Sequence, residues 1–497
     1  MLKNRLFKIW TVVMAVALGA CHDELLNPVP ESVLTNVNAF NKASDLNLAV
    51  LGAYATYQDR IPFDYQLLEM PSDDMYAFYF GSAPGIEEIT VLQVSPENPK
   101  INAFWKSTYN GIFRANSVLE NIEKPTDYAA GQKEQFVGEA KFMRALYYFD
   151  LVRVFGGVPA VTSVVTNEQA KAISRASEDE IYQIIIDDLQ EAINNLPLPA
   201  AIAKGRASKA AATALLAKVY VYRENWTAAK TQLETLFTNY SYNLVGNYGD
   251  LFEIATENNA EAIFSMPYVA GTDGQGLTYD LAPIYGIYGV INNGNRVGRP
   301  TWDLHTKFEP GDARFGVTIS ETQLTFDSKA TDTPFWFPYF NKWIVPSLAT
   351  PSSAGLDIPV LRLGDMILLY AEVLYNLGEP QLALDQINRI RTRAFGNTSH
   401  NYDLTDIPTA DAFLDLLLLE RRLELVTEGG NRWFDLVRTG RYMTDLAEYD
   451  AEYNPGSGTA TKVQIDVQPH MKYFPIPWEQ IQLSGAGVLE QNEGYPQ

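Results

Sequence analysis

The sequence predicts a mostly α-helical protein in which helix hairpins form a scaffold and long loops with a few short strands make up the rest. Two observations predict this. Apolar residues recur at spacings of three and four through segments in both halves of the chain, as on one face of a helix. Between about residues 239 and 354 that period disappears, while Gly, Asn, Tyr and Pro accumulate. Long loops in such a region are usually functional.

The clearest hairpin lies in the stretch "LRLGDMILLYAEVLYNLGEP". Its apolar stripe consists of Leu363, Ile367, Tyr370, Leu374 and Leu377. Gly378 is suited to cap this helix, and Pro380 suits the first turn of the next one. The sequence "AEVLYNLGEPQLAL" is similar to a tetratricopeptide unit. We therefore expect two packed helices with a short turn.

A second hairpin is predicted around the turn at Glu224 and Asn225. Its two stripes are Leu216, Val219 and Tyr222, followed by Trp226, Ala229 and Leu233. Further helices are expected at 102–122, 135–155, 178–196 and 411–427. The two hairpins are irregularly spaced, so other segments interrupt any repeat superhelix. From about Asp445 the chain is expected to return to loop, with "PGSG" as a turn and "KYFPIPWEQI" as a docking segment.

The first residues are typical of a lipoprotein signal. Lys3, Arg5 and Lys8 precede an uncharged run from residue 9 to residue 20, which is too short to span a bilayer. Leu-Gly-Ala-Cys resembles a bacterial lipobox, which would make Cys21 an acylated membrane anchor. The alternative is an ordinary cleaved signal with an incidental cysteine. The acidic residues that follow, in "HDE", resemble a surface-export tag.

Composition excludes several classes of function. Cys21 is the only cysteine in 497 residues, so neither a disulfide nor thiolate catalysis is expected in the mature chain. The formal net charge is −22, which argues against nucleic acid and phospholipid surfaces as partners. With 46% hydrophobic residues there is ample material for a large core. Two or three domains, or one large intertwined domain, fit this length.

The charged block "LERRLELVTEGGNRWFDLVR" raises the question of catalysis. Glu420 and Glu424 lie four residues apart on one helix face, whereas glycosidase carboxylates face each other across a cleft. The neighbouring arginines and aspartate favour a network of ion pairs that fixes how helices cross, and Trp433 is expected in the core. Hydrolase, metalloprotease, P-loop and dinucleotide motifs are missing from the sequence, and its four histidines are scattered. We expect no enzyme activity and no cofactor.

A sugar site needs aromatic planes for stacking beside polar groups for directional hydrogen bonds. Three stretches offer both: "PSDDMYAFYFGS", "YGIYGVINNGNRVGRPTW" and "PFWFPYFNKW". The alternative for each aromatic residue is burial under the helices. The candidate ligand-binding residues are Asp73, Asp74, Tyr76, Tyr288, Asn293, Arg296, Trp302 and Trp336.

Six sequence blocks follow one another along the chain. They are "FWKSTYNGIFRANSVLENI" (104–122), "GEAKFMRALYYFDLVRVFGGVPAV" (138–161), "RASKAAATALLAKVYVYRENW" (206–226), "IPVLRLGDMILLYAEVLYNLG" (358–378), "LLLERRLELVTEGGNRWFDLVRTGR" (417–441) and "KYFPIPWEQI" (472–481). In this order they resemble the SusD/RagB family of surface lipoproteins, and the resemblance implies a SusD-like fold with tetratricopeptide-like hairpins forming a superhelical scaffold. The corresponding division is a signal peptide at 1–20, helical regions at 21–238 and 355–497, and a loop-rich insert at 239–354.

The resemblance also implies a role in nutrient capture. It predicts a non-catalytic outer-membrane lipoprotein, facing the cell exterior, that delivers oligo- or polysaccharide to a SusC-like TonB-dependent transporter. Peptide capture, as in the RagB branch, is the alternative on the same scaffold. An envelope hydrolase is a third alternative, which the missing motifs disfavour. The identity of the glycan and the presence of calcium stay open.

Overall fold

Long helices form the first half of the chain. The computed structural model describes residues 40–77, 84–283, 286–287, 290–295, 297–320, 338–346 and 350–496. In the first half these include α1 (Ala43–Leu68), β1 (Met75–Ala77), α2 (Ile86–Thr90), α3 (Pro99–Asn121), α4 (Gln132–Phe155), α5 (Asn167–Ala170), α6 (Glu178–Asn195), α7 (Lys209–Tyr222) and α8 (Trp226–Asn239).

Helix α4 is the centre of this half. It is buried over most of its circumference and packs against α3 and α6. Gly111 of α3 allows the closest approach, because a Cβ atom at that position would lie 2.0 Å from the ring of Tyr147 on α4. The Tyr147 hydroxyl donates a hydrogen bond to the Ala53 carbonyl (2.8 Å), which ties α1 to the same packing.

The middle of the chain consists of short elements joined by loops. They are β2 (Ala262–Met266), α9 (Leu277–Leu281), β3 (Gly298–Pro300), α10 (Trp302–Lys307), α11 (Arg314–Thr318), β4 (Ile319–Ser320) and β5 (Tyr339–Phe340). Within the described residues, strands pair antiparallel as β1 with β3 and β4 with β5. This confirms the expectation of loops with a few short strands, and adds short helices to it.

Helices return after β6 (Ile358–Arg362), which pairs antiparallel with β2. They are α12 (Leu363–Asn376), α13 (Pro380–Phe395), α14 (Ala410–Leu425), α15 (Asn431–Arg438) and α16 (Tyr442–Asp445), followed by β7 (Glu448–Asn454), β8 (Thr459–Gln464) and α17 (Trp478–Leu483). Helices α7 and α8 pack together, as do α12 and α13, so both predicted hairpins are confirmed. The four further helices are confirmed to within three residues at each end.

Two elements differ from the sequence expectation. Helix α1 was not predicted, and it continues through Pro62. The segment after Asp445 is not loop throughout, because β7 and β8 form an antiparallel hairpin with "PGSG" as its turn. The docking segment is confirmed: Phe474 and Ile476 are buried, and the Phe474 amide donates to the Val154 carbonyl (2.8 Å).

One hydrophobic cluster joins residues from all parts of the chain. It contains Val50, Phe149, Phe264, Trp433 and Phe474, and a second cluster lies between α12, α13 and α14. The division into 21–238, 239–354 and 355–497 stays a prediction. Among the helices in the described ranges, none combines the length and apolar character that a bilayer crossing requires.

Candidate functional site

The candidate site lies where the loop after α1 meets the loop before α10. Strand β1 pairs with β3, and Tyr76 and Arg299 are direct partners in that register. The Thr301 amide donates to the Asp74 carbonyl (3.0 Å), and its hydroxyl donates to the Asp73 carbonyl (2.5 Å). Two of the three predicted stretches therefore come together. The third contributes β5, which lies against β3.

Arg299 organises the polar part of the site. Its side chain is buried, and its guanidinium group lies 5.1 Å from the centre of the Tyr76 ring and donates to the Tyr76 hydroxyl. The same group forms an ion pair with Glu452 of β7 (2.9 Å). Burial raises the pKa of the Tyr76 phenol above its ordinary value, so the group remains a hydroxyl at physiological pH.

Three aromatic rings stack beside this ion pair. The indole of Trp302 is parallel to the ring of Tyr453 on β7, with centroids 4.1 Å apart, and to that of His305, with centroids 4.5 Å apart. All three side chains are half-buried, so part of each faces solvent. The aromatic surface at this position is therefore a stack and not a single indole. Because Tyr453 and His305 cover the two faces of the indole, a ligand can contact the outer faces of those two rings and the indole edge.

The prediction for Asp73 and Asp74 requires a correction. Both side chains are buried: Arg432 holds the Asp73 carboxylate (2.8 Å) and Arg422 holds that of Asp74 (2.5 Å). Burial alone would raise the pKa of Asp73, but the guanidinium groups of Arg422 and Arg432 outweigh it and hold that pKa well below its usual range. These carboxylates fix the loop that carries Tyr76: Asp74 is fully enclosed, and Asp73 reaches only the wall of the charged pocket between α10, α14 and β7.

Of the other predicted residues, one is exposed, two are half-buried, and the rest lie outside the residues that the structure describes. Asn293 is exposed in the loop before β3, whereas Tyr76 and Trp302 are half-buried. That loop is tied to the helices, since the Asn295 side chain donates to Asp280 (3.2 Å), which also accepts from the Tyr65 hydroxyl (3.1 Å). Tyr288, Arg296, Trp336 and Cys21 lie outside the described residues, so their roles stay predictions.

Sequence reasoning missed four residues of the site: Arg299, Glu452, Tyr453 and His305. Arg299 stands inside a stretch that the sequence singled out, but nothing in its pattern distinguished it from Arg296. Glu452 and Tyr453 were assigned to a loop. The alternation of polar and apolar residues in "EYDAEYN" is the signal that could have indicated a strand, and Tyr449 and Ala451 are buried in β7.

One pocket borders the candidate site, and a groove lies apart from it. A 310 Å³ pocket lies between α10, α14 and β7, and its charged lining includes Asp303, Arg422 and Glu448. A separate groove of 590 Å³ is lined in part by Tyr240 and Tyr242, which the candidate site does not include. In the part of the chain that the structure describes, no group of three or more His, Cys, Asp or Glu side chains could hold a metal ion.

The charged block in α14 and α15 is an ion-pair network, as expected. Glu420 pairs with Arg314 (2.6 Å) and Arg391 (3.1 Å), and all three side chains are buried. Glu424 pairs with Arg314, Arg362 and Arg393 at 2.6 to 3.3 Å. Trp433 is buried and stacks on Phe474, which confirms its place in the core.

These contacts determine what the two glutamates of α14 can do. Burial raises the pKa of Glu424, but the guanidinium groups of Arg393, Arg362 and Arg314 outweigh it and hold that pKa well below its usual range. A carboxylate that stays ionised in this way cannot donate a proton as a general acid near neutral pH. Both carboxylates are also buried against arginine side chains, so the pair is structural.

Family comparisons match both halves of the chain. A family model described as "Starch-binding associating with outer membrane" matches residues 33–221, and the model of the SusD family matches residues 314–495. The chain belongs to the SusD/RagB family. This membership agrees with the helical scaffold and confirms the resemblance seen in the six sequence blocks.

Individual relatives extend over nearly the whole chain. SusD-like protein P25 of Formosa agariphila is 25% identical, and the match covers 95% of this chain and 96% of the relative. The starch-binding protein SusD of Bacteroides thetaiotaomicron is 23% identical over 86% of this chain and 84% of its own. Among solved structures, a laminarin binding SusD-like protein matches with a TM-score of 0.75 and 26% identity, covering 92% of this chain and 100% of the other.

Proposed function

We propose that the protein is a non-catalytic carbohydrate-binding lipoprotein that captures oligo- or polysaccharide at the surface formed by Tyr76, Arg299, Trp302, Glu452 and Tyr453. The observation that carries the proposal is the aromatic stack of Trp302 and Tyr453 beside the Arg299–Glu452 ion pair. Family relatives named for binding starch and laminarin support carbohydrate as the ligand class.

The chemistry of a pyranose suits this surface. A sugar ring has an apolar C–H face and a rim of hydroxyl groups, so it requires a flat apolar contact and directional donors and acceptors. Part of the Trp302 and Tyr453 rings faces solvent, and the Glu452 side chain is 38% exposed beside Arg299. Asn293 adds an exposed amide in the neighbouring loop. A neutral glycan also avoids the repulsion that the net charge of −22 imposes on polyanions.

The absence of catalysis is part of the proposal. The carboxylates that the sequence offered as a pair, Glu420 and Glu424, are buried and bound to arginines. Asp73 and Asp74 are held in the same way. A glycosidase needs two carboxyl groups facing a substrate cleft, with one of them protonated. None of these four carboxylates meets that requirement.

Location and partner complete the proposal. The lipobox-like sequence at Cys21 supports an N-terminal lipid anchor, and the description of the matching family model supports association with the outer membrane. We infer that the anchored chain faces the cell exterior and passes its ligand to a SusC-like TonB-dependent transporter. Recovery of a large barrel protein with this chain from solubilised membranes is the expected result, and its repeated absence would contradict the partnership.

Isothermal titration calorimetry tests the ligand class. We expect binding to at least one polysaccharide in a panel of laminarin, starch and other neutral glycans, with no reducing-end products after long incubation. A peptide panel in the same buffer is the comparison. Binding confined to peptides would replace glycan capture by peptide capture, and release of oligosaccharides would contradict a non-catalytic role.

A further inference from the structure

Arg422 of α14 contacts both segments that carry the candidate site. Its guanidinium group pairs with the Asp74 carboxylate (2.5 Å) and donates to the Asp73 carbonyl (2.7 Å), just before β1. On its other side it pairs with Asp303 of α10 (2.7 Å), the residue after Trp302. One side chain from the C-terminal helices therefore bridges the loop of Tyr76 and the helix of Trp302.

The geometry explains why this position needs arginine. The guanidinium group is planar and presents donors in fixed directions, so it can hold a carboxylate, a carbonyl and a second carboxylate at once. The Arg422 side chain is buried, and Asp303 is only partly exposed. The Asp74 contact is fully enclosed, whereas the Asp303 contact borders the 310 Å³ pocket. A lysine would keep the charge but would lose the planar set of directions.

The next residue on the helix provides a comparison. Arg421 is equally buried and also bridges two carboxylates, Asp365 (2.8 Å) and Asp435 (2.6 Å). Those partners lie on α12 and α15, among the helices of the scaffold. Loss of either arginine removes a comparable set of buried ion pairs, but only Arg422 touches the loops of the candidate site.

We propose that Arg422 is a positioning residue for carbohydrate binding, which fixes Tyr76 and Trp302 relative to each other without contacting the ligand. This inference rests on the proposed function, because it takes those two residues as part of the binding surface. The loops come from distant parts of the chain, and their direct contacts include the short pairing of β1 with β3 and the hydrogen bonds of Thr301 to the Asp73 and Asp74 carbonyls. A buried clamp across the junction restricts the motion that such short pairing permits.

The test compares Arg422→Lys with Arg421→Lys in the full chain. Both variants keep a positive charge, so both are expected to fold, with similar decreases in melting temperature. We expect Arg422→Lys to weaken binding of the glycan identified by calorimetry by about tenfold, and Arg421→Lys to leave it within about twofold. Hydrogen exchange without ligand should become faster at residues 72–77 and 298–305 in Arg422→Lys only.

The two readouts separate failure of this inference from failure of the proposed function. If the wild-type protein binds no glycan, the proposed function fails, while hydrogen exchange still reports on the clamp. If the wild type binds and the two variants match in affinity and in exchange, the positioning role is wrong. Should Arg422→Lys not fold, Asp303→Asn removes one arm of the clamp. It is expected to weaken binding by about threefold, and unchanged affinity would equally overturn the role.

Discussion

The indole of Trp302 lies parallel to the phenol ring of Tyr453, with centroids 4.1 Å apart and planes inclined by 13°. This contact joins the short helix α10 to the C-terminal hairpin strand β7. The Arg299–Glu452 ion pair adds a second link to the same hairpin, since Arg299 on β3 is three residues before Trp302 and Glu452 is adjacent to Tyr453 on β7. The hairpin is therefore part of the candidate site and not a peripheral loop.

Removal of either ring of this stack is expected to weaken carbohydrate binding. Trp302→Ala and Tyr453→Ala each remove a ring of the surface that is proposed to contact the ligand, and a tenfold change in affinity corresponds to about 1.4 kcal/mol. We expect a loss of affinity of about tenfold for each variant in calorimetric titration. Phe113→Ala is the matched control, since Phe113 is 50% exposed on α3, away from these contacts. Equal affinities for the three variants would argue against the stack as a contact surface.

Glu424→Gln is expected to destabilise the fold without a direct effect on ligand contact. The substitution leaves the buried guanidinium groups of Arg314, Arg362 and Arg393 with one neutral partner in place of a carboxylate. Breaking a buried ion pair costs about 3–5 kcal/mol. Urea unfolding measures the change. Glu123→Gln removes the exposed partner of Lys133 and should cost less than about 1 kcal/mol.

A buried acid at the end of α1, Glu69, should make the free energy of unfolding depend on pH. Burial raises the pKa of Glu69 to about 8, although its carboxylate accepts a hydrogen bond from the Gly430 amide (2.7 Å). Since an unfolded glutamate titrates near about 4.3, the folded chain holds the extra proton between these values. The stability that this group contributes is thus complete below about pH 4.3 and is lost as pH rises through about 8.

Glu69→Gln should remove this dependence, because glutamine can accept the same hydrogen bond and does not titrate. We expect the stability of the variant relative to wild type to rise between pH 5 and pH 9, as measured by urea unfolding. A difference that stays constant over that range would show that Glu69 does not carry the proton. Glu123→Gln again serves as the exposed control.

Gly111→Ala tests the close packing of α3 on α4. The new methyl group would overlap the Tyr147 ring, which its hydrogen bond to Ala53 holds in place. Overpacking of this kind costs about 1–3 kcal/mol. Gly316→Ala is the control, because a Cβ atom there meets no neighbour within 4 Å and the residue is in α11. Equal melting temperatures for the two variants would contradict the packing.

Helices could be predicted from the sequence where the spacing of apolar residues matches the buried side of the helix. The stripe at Leu363 and Ile367 predicts a helix because these residues lie in one core cluster, although Met366 and Leu369 of the same helix are buried in another. Helix α1 is different: Leu48 and Leu51 are exposed while Arg60 and Asp64 are buried, so its apolar residues do not mark its buried face, and Pro62 argues against a helix in any local view. Its stability comes from tertiary packing.

The candidate site was harder to predict because long-range pairing creates it. Asp73 and Asp74 were proposed as ligand contacts since acids beside aromatics suit a sugar. Their arginine partners, Arg432 and Arg422, stand more than three hundred positions later and cannot be assigned from spacing. Tyr453 reaches Trp302 only because β7 pairs with β8 beside α10. Whether a carboxylate is exposed depends on whether an arginine from a distant part of the chain pairs with it.

A crystal structure of the protein with a bound oligosaccharide would show directly which surface holds the sugar. The glycan for the experiment is the one that calorimetry identifies. We expect the sugar to contact the Trp302–Tyr453 stack and to accept or donate hydrogen bonds near Arg299 and Glu452. A ligand found instead in the groove lined by Tyr240 and Tyr242, with the stack untouched, would contradict the account.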